Sequence, residues 1–196
     1  RRSLNVPANS RAASRTGVSW GLIPDISPHF PAAACATAMN EVFAHGTDRL
    51  VAIGMGGPAD NWTTDDFGSI YATARDHGLP GVAHAAEHGG PEEVRFAVEQ
   101  FQAMRIQHGI GVMSDPEVVA LLVDRGIPCD VCPGSNLALH AVESPADHPL
   151  GAMLDAGVIV TLGTDDPPMF QTNLLAEYER AWDWGDLDLD GVTALA

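Results

Sequence analysis

The sequence predicts an α/β fold of the TIM type, a (β/α)8 barrel of which about six strand–helix units are present and the first two are missing. Three observations predict it: apolar runs alternate with helical patterns, the runs are apolar almost throughout, and nearly every run ends in a polar residue. Such runs joined by helices indicate a parallel sheet that is covered on both faces. Because the carboxyl ends of barrel strands form the active-site face, the polar residues predict a site there.

Six strands and six helices are predicted in alternation. The strands cover residues 20–26, 50–55, 81–84, 105–108, 128–132 and 158–162, and the helices cover residues 32–44, 66–77, 91–101, 116–125, 150–156 and 174–184. Proline opens two of the helices and glycine follows several helix ends, as is usual for helix boundaries. A complete barrel takes about 250 residues, so two further units are expected upstream. Residues 1–16 are expected to be a poorly defined N-terminal segment, and residues 17–196 the C-terminal part of the barrel.

The alternative parallel fold is a doubly wound sheet that binds a dinucleotide. Such a domain carries the spacing Gly-x-Gly-x-x-Gly after its first strand. The segment Gly54-Met55-Gly56-Gly57 is rich in glycine but lacks this spacing, and Pro58 follows it. The barrel is therefore favoured.

Charge and composition exclude several classes of partner. Ten Lys plus Arg against 26 Asp plus Glu give a formal net charge of −16, which repels nucleic acids and anionic membranes. The sequence contains no run of ~18 consecutive apolar residues, so no membrane-spanning helix is predicted. Residues 1–15 lack the apolar core of a secretory signal. Cys35, Cys129 and Cys132 form no plausible disulfide framework, so a reducing, cytoplasmic setting is expected.

Four segments place chemically useful side chains at predicted strand ends, namely residues 82–87, 105–109, 131–136 and 162–167. Zinc binds His nitrogen and carboxylate oxygen, and a catalytic zinc site keeps one position for water. His84 and Asp165 are therefore candidate zinc ligands, and His108 is placed to position and deprotonate the water. Glu87, three residues beyond His84, is the candidate acid that protonates a ring nitrogen. Asp166 points away from Asp165 on extended backbone, so it is free to accept a hydrogen bond from substrate.

These segments resemble, in the same order, the motifs of the adenosine deaminase family of metal-dependent TIM-barrel aminohydrolases. His84-Ala-Ala-Glu87 resembles the motif His-Ala-Gly-Glu, and residues 105–109 resemble Arg-Ile/Leu-Gly-His-Gly. Residues 132–136 resemble Cys-Pro-x-Ser-Asn, and residues 164–167 resemble Thr/Ser-Asp-Asp-Pro. The similarity runs from about residue 20 to residue 182.

The resemblance implies a zinc-dependent hydrolase, with one Zn²⁺ per subunit, that deaminates an adenine-type base in a small-molecule purine substrate. Adenosine, adenine and 6-aminodeoxyfutalosine are all candidates for that substrate. The resemblance also implies roles for six residues: zinc ligation by His84 and Asp165, proton donation by Glu87, water activation by His108, and binding of the base by Gly57 and Asp166.

The chain departs from the family pattern in three places. Ala86 and Gln107 replace glycines of two motifs and add bulk close to the site. The family's first strand carries a His-x-His pair that supplies two more zinc ligands, and no such pair occurs in this chain. We interpret its absence as N-terminal truncation, so the chain alone is expected to be inactive. The non-enzyme alternative is a catalytically incomplete barrel fragment that acts only as a binding module.

One other motif suggests different zinc chemistry. Pro128-Cys129-Asp-Val-Cys132 matches the Pro-Cys-x-x-Cys half of the cytidine deaminase signature, but the accompanying His-x-Glu is here His-x-x-Glu. Both cysteines are predicted to lie in a strand, where residues three apart face opposite sides and cannot share a metal. A thioredoxin-like redox pair lacks its βαβ context. Neither interpretation is favoured.

Overall fold

The computed structural model describes residues 15–46, 48–57 and 64–195, and within them short strands alternate with helices. The strands are β1 Asp25–Ile26, β2 Gly54–Met55, β3 Gly81–Ala85, β4 Ala103–His108, β5 Cys129–Val131 and β6 Val160–Leu162. The α-helices are α1 Ala32–His45, α2 Thr64–Asp76, α3 Pro91–Gln100, α4 Pro116–Arg125, α5 Pro133–Ala138, α6 Leu150–Asp155, α7 Pro167–Phe170, α8 Leu174–Trp184 and α9 Leu189–Ala194. Two 3₁₀ helices, Ile110–Ser114 and Pro145–Asp147, lie in loops.

The strands are parallel, and their order in space is their order in the chain. β1 pairs with β2, and β3 to β6 form a continuous four-stranded sheet. A parallel bridge between Ile53 and Gly81 joins the two sheets, with an Ile53 N–H to Pro80 carbonyl hydrogen bond of 3.0 Å. A doubly wound sheet reverses its strand order at a switch point, whereas a barrel adds strands consecutively. The barrel prediction is therefore confirmed, as the part of a barrel that six strands form.

The register of β3 to β6 places polar residues in one row on the inner face. His84 pairs with Gln107, Gln107 with Asp130, and Asp130 with Thr161. The Arg105 guanidinium, on the same face, donates to the Asp130 carboxylate and to the Thr161 hydroxyl. Because successive side chains in a strand alternate between faces, the intervening apolar residues face the helices.

Two apolar clusters hold the helices against the outer face of the strands. The larger one joins β3–β6 to the helices that follow them and includes the fully buried Ile106, Leu122 and Met153. The smaller one packs α1 and α2 against β1 and β2, and in it the rings of Tyr71 and Phe101 stack at 4.8 Å between centroids. The core therefore lies outside the strands, and the polar row on the inner face is left for the site.

The observed strands differ from the predicted ones in their bounds, and the structure adds three helices. β1 and β2 cover two residues each, where residues 20–26 and 50–55 were predicted. Cys132 lies outside β5 and is the residue that caps α5, so the statement that both cysteines lie in a strand was wrong. Pro133 explains the early end of the strand, because proline is favoured in the first turn of a helix and cannot donate to a sheet. Helices α5, α7 and α9 were not predicted, since each has only four to six residues and little periodicity.

The sequence also predicted a poorly defined N-terminal segment and no membrane-spanning helix. Residues 1–14, most of the predicted N-terminal segment, lie outside the described residues. Within the described ranges, none of the helices has the length and apolar character that crossing a bilayer requires.

Candidate active site

His84, in β3, presents a ring whose tautomer is set by the backbone. Its Nδ1 lies 2.9 Å from the carbonyl oxygen of Met55. Since a carbonyl oxygen only accepts, Nδ1 carries the proton and donates it, and the neutral ring has its lone pair on Nε2. Metal-binding histidines are typically held in this way, with one nitrogen on a carbonyl and the other on the metal. His84 is therefore prepared to bind a metal through Nε2.

His108 ends β4 in a strained backbone conformation. Its φ is 66°, in the left-handed region that few residues with a side chain adopt, and Gly109 follows with φ 69°. The turn is held by the Gly109 N–H, which donates to the Ala85 carbonyl at 3.0 Å. The side chain is 2 % exposed, and this burial, assisted by the nearby charge of His84, holds the pKa of His108 well below its usual range. His108 is therefore neutral at pH 7.

Glu87 lies two residues beyond β3, beside His108. Its Oε1 is 3.5 Å from His108 Nδ1 and 3.4 Å from Asn136 Nδ2, and the side chain is 18 % exposed. Burial raises the pKa of the Glu87 carboxyl above its usual value; nearby His88 opposes this rise, and Asp165 adds to it. A carboxyl group with a raised pKa is suited to act as a general acid.

Asp165 follows β6 and also has left-handed backbone, with φ 52°. Its Oδ2 accepts a 2.6 Å hydrogen bond from the hydroxyl of Ser135, which is fully buried in α5. The start of α5 is itself held by Glu177, whose carboxylate accepts from the Gly134 N–H at 2.8 Å. The orientation of the Asp165 carboxylate is therefore fixed by the neighbouring strand–helix unit.

These side chains converge at the carboxyl ends of β3 to β6. One side-chain nitrogen or oxygen atom from each of Glu87, His108 and Asp165, of a kind able to bind a metal, lies within 4.8 Å of the other two. The rings of His84 and His108 are 5.3 Å apart between centroids. His84, His108 and Asp165 line one cavity of about 320 Å³, whose wall also includes Gln107. Four of the six predicted site residues are thus brought together.

The other two predicted residues lie outside the cavity lining. Gly57 has φ 89°, which favours glycine, and a Cβ added there would lie 3.2 Å from the ring of His29. The preceding Gly56 is closer to the cluster, since a Cβ there would lie 3.7 Å from His84 Cε1. Asp166 is exposed and directly precedes α7. The roles of Gly57 and Asp166 in binding a base stay predictions.

Sequence reasoning assigned no role to three residues of the site. Asn136 lies in the Cys-Pro-x-Ser-Asn segment, and its Nδ2 is 3.0 Å from His108 Nδ1. His148 contacts Asn136 from a loop and belongs to none of the motifs, so spacing offered no signal for it. Gln107 was noted only for its bulk, yet its side chain lines the cavity, and its Oε1 has no hydrogen-bond partner within the described ranges.

Comparison with known proteins identifies the family. The family model for adenosine deaminase matches residues 5–196. The chain belongs to the adenosine deaminase family. Among its relatives, aminodeoxyfutalosine deaminase of Streptomyces avermitilis is 42% identical over 149 residues, which are 76% of this chain and 42% of the relative. The chain spans about half the length of the curated relatives it matches.

Two solved structures have the same fold as this chain. Adenine deaminase from Arthrobacter aurescens matches with a TM-score of 0.88 at 30% identity, over 95% of this chain and 57% of that one. An amidohydrolase from Burkholderia ambifaria, solved with bound Zn, matches with a TM-score of 0.86 at 24% identity, over 95% and 52%. The chain therefore shares its fold with these two solved structures.

Proposed function

We propose that the protein catalyses the zinc-dependent hydrolytic deamination of an adenine-type base, so that an oxo base and ammonia are formed. The observation that carries this proposal is the convergence of Glu87, His108 and Asp165 within 4.8 Å beside His84. Two carboxyl groups, a neutral histidine and a free histidine nitrogen are groups that metal-assisted hydrolysis uses. Family membership and the names of the deaminase relatives support the same reaction.

The donor set of the cavity fits zinc. His84 offers Nε2 because Nδ1 is committed to the Met55 carbonyl, and Asp165 offers a carboxylate that Ser135 orients. Imidazole nitrogen and carboxylate oxygen are the usual ligands of catalytic zinc. A zinc ion bound there supplies a water whose pKa is lowered toward ~7. The zinc-bound amidohydrolase of the same fold supports this choice of metal.

His108 and Glu87 then have distinct roles. His108 is buried and neutral at pH 7, so it orients the attacking water without adding positive charge to the site. As the water oxygen bonds to the carbon that bears the amino group, Glu87 protonates the adjacent ring nitrogen. The carbon–nitrogen bond to the amino group would then break. Ammonia would leave with one proton from the water, the ring nitrogen would keep the proton from Glu87, and the second water proton would return to Glu87.

The proposed substrate is an aminated purine, and three members of that class are candidates. The relatives include an aminodeoxyfutalosine deaminase and adenine deaminases, and adenosine is the third candidate. Gly57 and Asp166 are proposed to contact the base. Gln107, which lines the cavity where the family motif has glycine, narrows the space beside His84 and so contributes to the choice.

We propose further that upstream strand–helix units complete the barrel and the zinc site. A catalytic zinc ion usually has three protein ligands, and this chain supplies His84 and Asp165. Residues 17–196 would then be the C-terminal part of the barrel, preceded by a short segment at residues 1–16. The alternative is a catalytically incomplete barrel fragment. A cytoplasmic location is proposed because Cys35, Cys129 and Cys132 are all free thiols.

Ammonia release by the full-length protein tests this function. The protein is loaded with zinc and assayed with adenosine, adenine, 6-aminodeoxyfutalosine and cytidine. We expect turnover of at least one of the three purines, and loss of both zinc and turnover in His84→Ala. Turnover of cytidine alone would contradict the proposed substrate class. Stoichiometric zinc without turnover of any substrate would favour the non-catalytic alternative.

A further inference from the structure

A buried chain of hydrogen bonds leads from the backbone of α6 to the catalytic histidine. The Leu150 N–H lies 3.3 Å from His148 Nδ1, and His148 Nε2 lies 3.4 Å from Asn136 Oδ1. Asn136 Nδ2 in turn lies 3.0 Å from His108 Nδ1 and 3.4 Å from Glu87 Oε1. Asn136 is fully buried and His148 is 6 % exposed, so water has little access to replace these bonds.

The direction of each bond follows from which groups are able to donate. A backbone N–H only donates, so His148 Nδ1 accepts and the proton of its neutral ring is on Nε2. That proton is donated to Asn136 Oδ1, since an amide oxygen only accepts. The Asn136 amide is therefore oriented with Nδ2 toward His108, and His108 Nδ1 accepts. The neutral His108 ring then carries its proton on Nε2.

His148 is suited to start this chain because it stays neutral. Burial lowers its pKa to about 4, and a neutral ring is needed if Nδ1 is to accept from Leu150. The ring also packs against Trp184, with 5.9 Å between centroids, which restricts its rotation. His148 is not among the residues that line the cavity, and its hydrogen bond to Asn136 connects it to the site.

We propose that His148 is a positioning residue of the deaminase site, which acts through Asn136 to fix the ring orientation and the tautomer of His108. This inference rests on the proposed function, in which His108 orients the attacking water. Without the donor on His148, the Asn136 amide is free to turn and to present its oxygen to His108. His108 Nδ1 would then have to donate, and the proton that faces the attacking water from Nε2 would be lost.

Two substitutions at position 148 separate positioning from a purely structural role. Glutamine carries an amide nitrogen near the position of Nε2, so His148→Gln keeps the donor to Asn136 and loses the acceptor for Leu150. Asparagine carries its oxygen near the position of Nδ1, so His148→Asn keeps the acceptor and loses the donor. Both variants lose the ring contact with Trp184, so they are matched for lost packing.

The kinetic test uses the zinc-loaded full-length protein. We expect His148→Asn to lower kcat by about 10–100-fold, the range for lost outer partners of catalytic groups, while KM and zinc content stay close to those of the wild type. His148→Gln should retain most of kcat. Equal kcat values for the two variants, or a higher kcat for His148→Asn, would overturn the proposal, because a structural cap of α6 predicts that asparagine is the better replacement.

A second measurement does not depend on turnover. ¹⁵N NMR of labelled histidine reports which nitrogen of His108 carries the proton. We expect Nε2–H in the wild type and in His148→Gln, and a mixture or Nδ1–H in His148→Asn. An unchanged tautomer in His148→Asn would contradict the inference even if the wild type deaminates no purine. Wild-type inactivity with the expected tautomers would instead refute only the proposed function.

Discussion

The Ser135 hydroxyl donates a 2.6 Å hydrogen bond to the Asp165 carboxylate, although the two residues belong to different strand–helix units. Ser135 is fully buried at the start of α5, and Asp165 has left-handed backbone just after β6. The bond restricts rotation of the carboxylate and leaves its other oxygen free for a metal. Two neighbouring units of the barrel thus cooperate to present a single ligand.

Removal of this hydroxyl should weaken metal binding. We expect Ser135→Ala to lower the zinc affinity of the full-length protein by about 10–100-fold, because Asp165 loses the partner that orients it. Competition with a chelating indicator measures the affinity. Ser144→Ala is the matched control, since Ser144 makes a similar 2.7 Å bond to Asp147 at an exposed site. Equal affinities in the two variants would show that the Ser135 bond is dispensable.

Glu87 should be needed for turnover and not for metal binding. Glu87→Gln keeps the shape and a hydrogen bond but cannot deliver a proton, so turnover in the full-length protein should fall by roughly 10²–10⁴. Zinc content, measured by atomic absorption, should hold. His84→Ala is the contrasting variant, in which zinc and activity disappear together. Near-normal turnover in Glu87→Gln would show that Glu87 is an ordinary carboxylate at a helix entrance and is not the proposed acid.

The ion pair between the buried Glu177 and the partly exposed Arg180 should contribute to stability. Glu177 Oε1 accepts from Arg180 Nη1 at 2.7 Å, and Oε2 accepts from the Gly134 N–H at 2.8 Å. Glu177→Ala leaves the Gly134 N–H without its acceptor and leaves Arg180 Nη1 with the Thr172 hydroxyl, so we expect a loss of about 2 kcal/mol in the free energy of unfolding. Urea denaturation of the full-length protein measures it. The exposed Glu179 on the same helix is the control, and Glu179→Ala should cost less than about 0.5 kcal/mol.

The burial of His148 should make stability depend on pH. Its pKa is about 4 in the folded protein, below the ordinary histidine value of 6.5, so the unfolded chain binds the proton more readily. The contribution to stability is therefore complete above pH 6.5 and is lost as the pH falls toward 4. Between about pH 7 and about pH 5 the wild type should lose about 2 kcal/mol more than His148→Gln, as measured by urea denaturation. Parallel losses in both proteins would contradict the lowered pKa.

The isolated 196-residue chain should bind zinc poorly and tend to aggregate. β1 and β6 each pair on one side only within the described sheets, and unpaired strand edges promote association. Among the described residues, the proposed zinc site has the two ligands His84 and Asp165, whereas a catalytic zinc ion usually has three. Light scattering and zinc-dependent ammonia release, with the full-length protein as control, measure the two effects. Efficient deamination by the isolated chain would show that the proposed upstream units are unnecessary.

The sequence alone determined the barrel and the cluster that it positions. Buried parallel strands leave a pattern of apolar runs between helices, and their carboxyl ends meet at one face. Polar residues at successive strand ends therefore predict a shared site without any knowledge of contacts. His84, Glu87, His108 and Asp165 were found in this way, and the structure brings them together.

The tertiary structure decided what the local pattern does not encode. Strand β5 ends at Val131, one residue before the predicted end, and Cys132 is the N-cap of α5 because Pro133 opens that helix. The left-handed backbone of His108 and Asp165 depends on the turns around them, and His148 reaches Asn136 only through a loop that folds back over α5. Such contacts join residues far apart in the chain, and neither periodicity nor motif spacing carries information about them. The orientation and protonation of the proposed catalytic groups are therefore properties of the folded packing, whereas their identity is a property of the sequence.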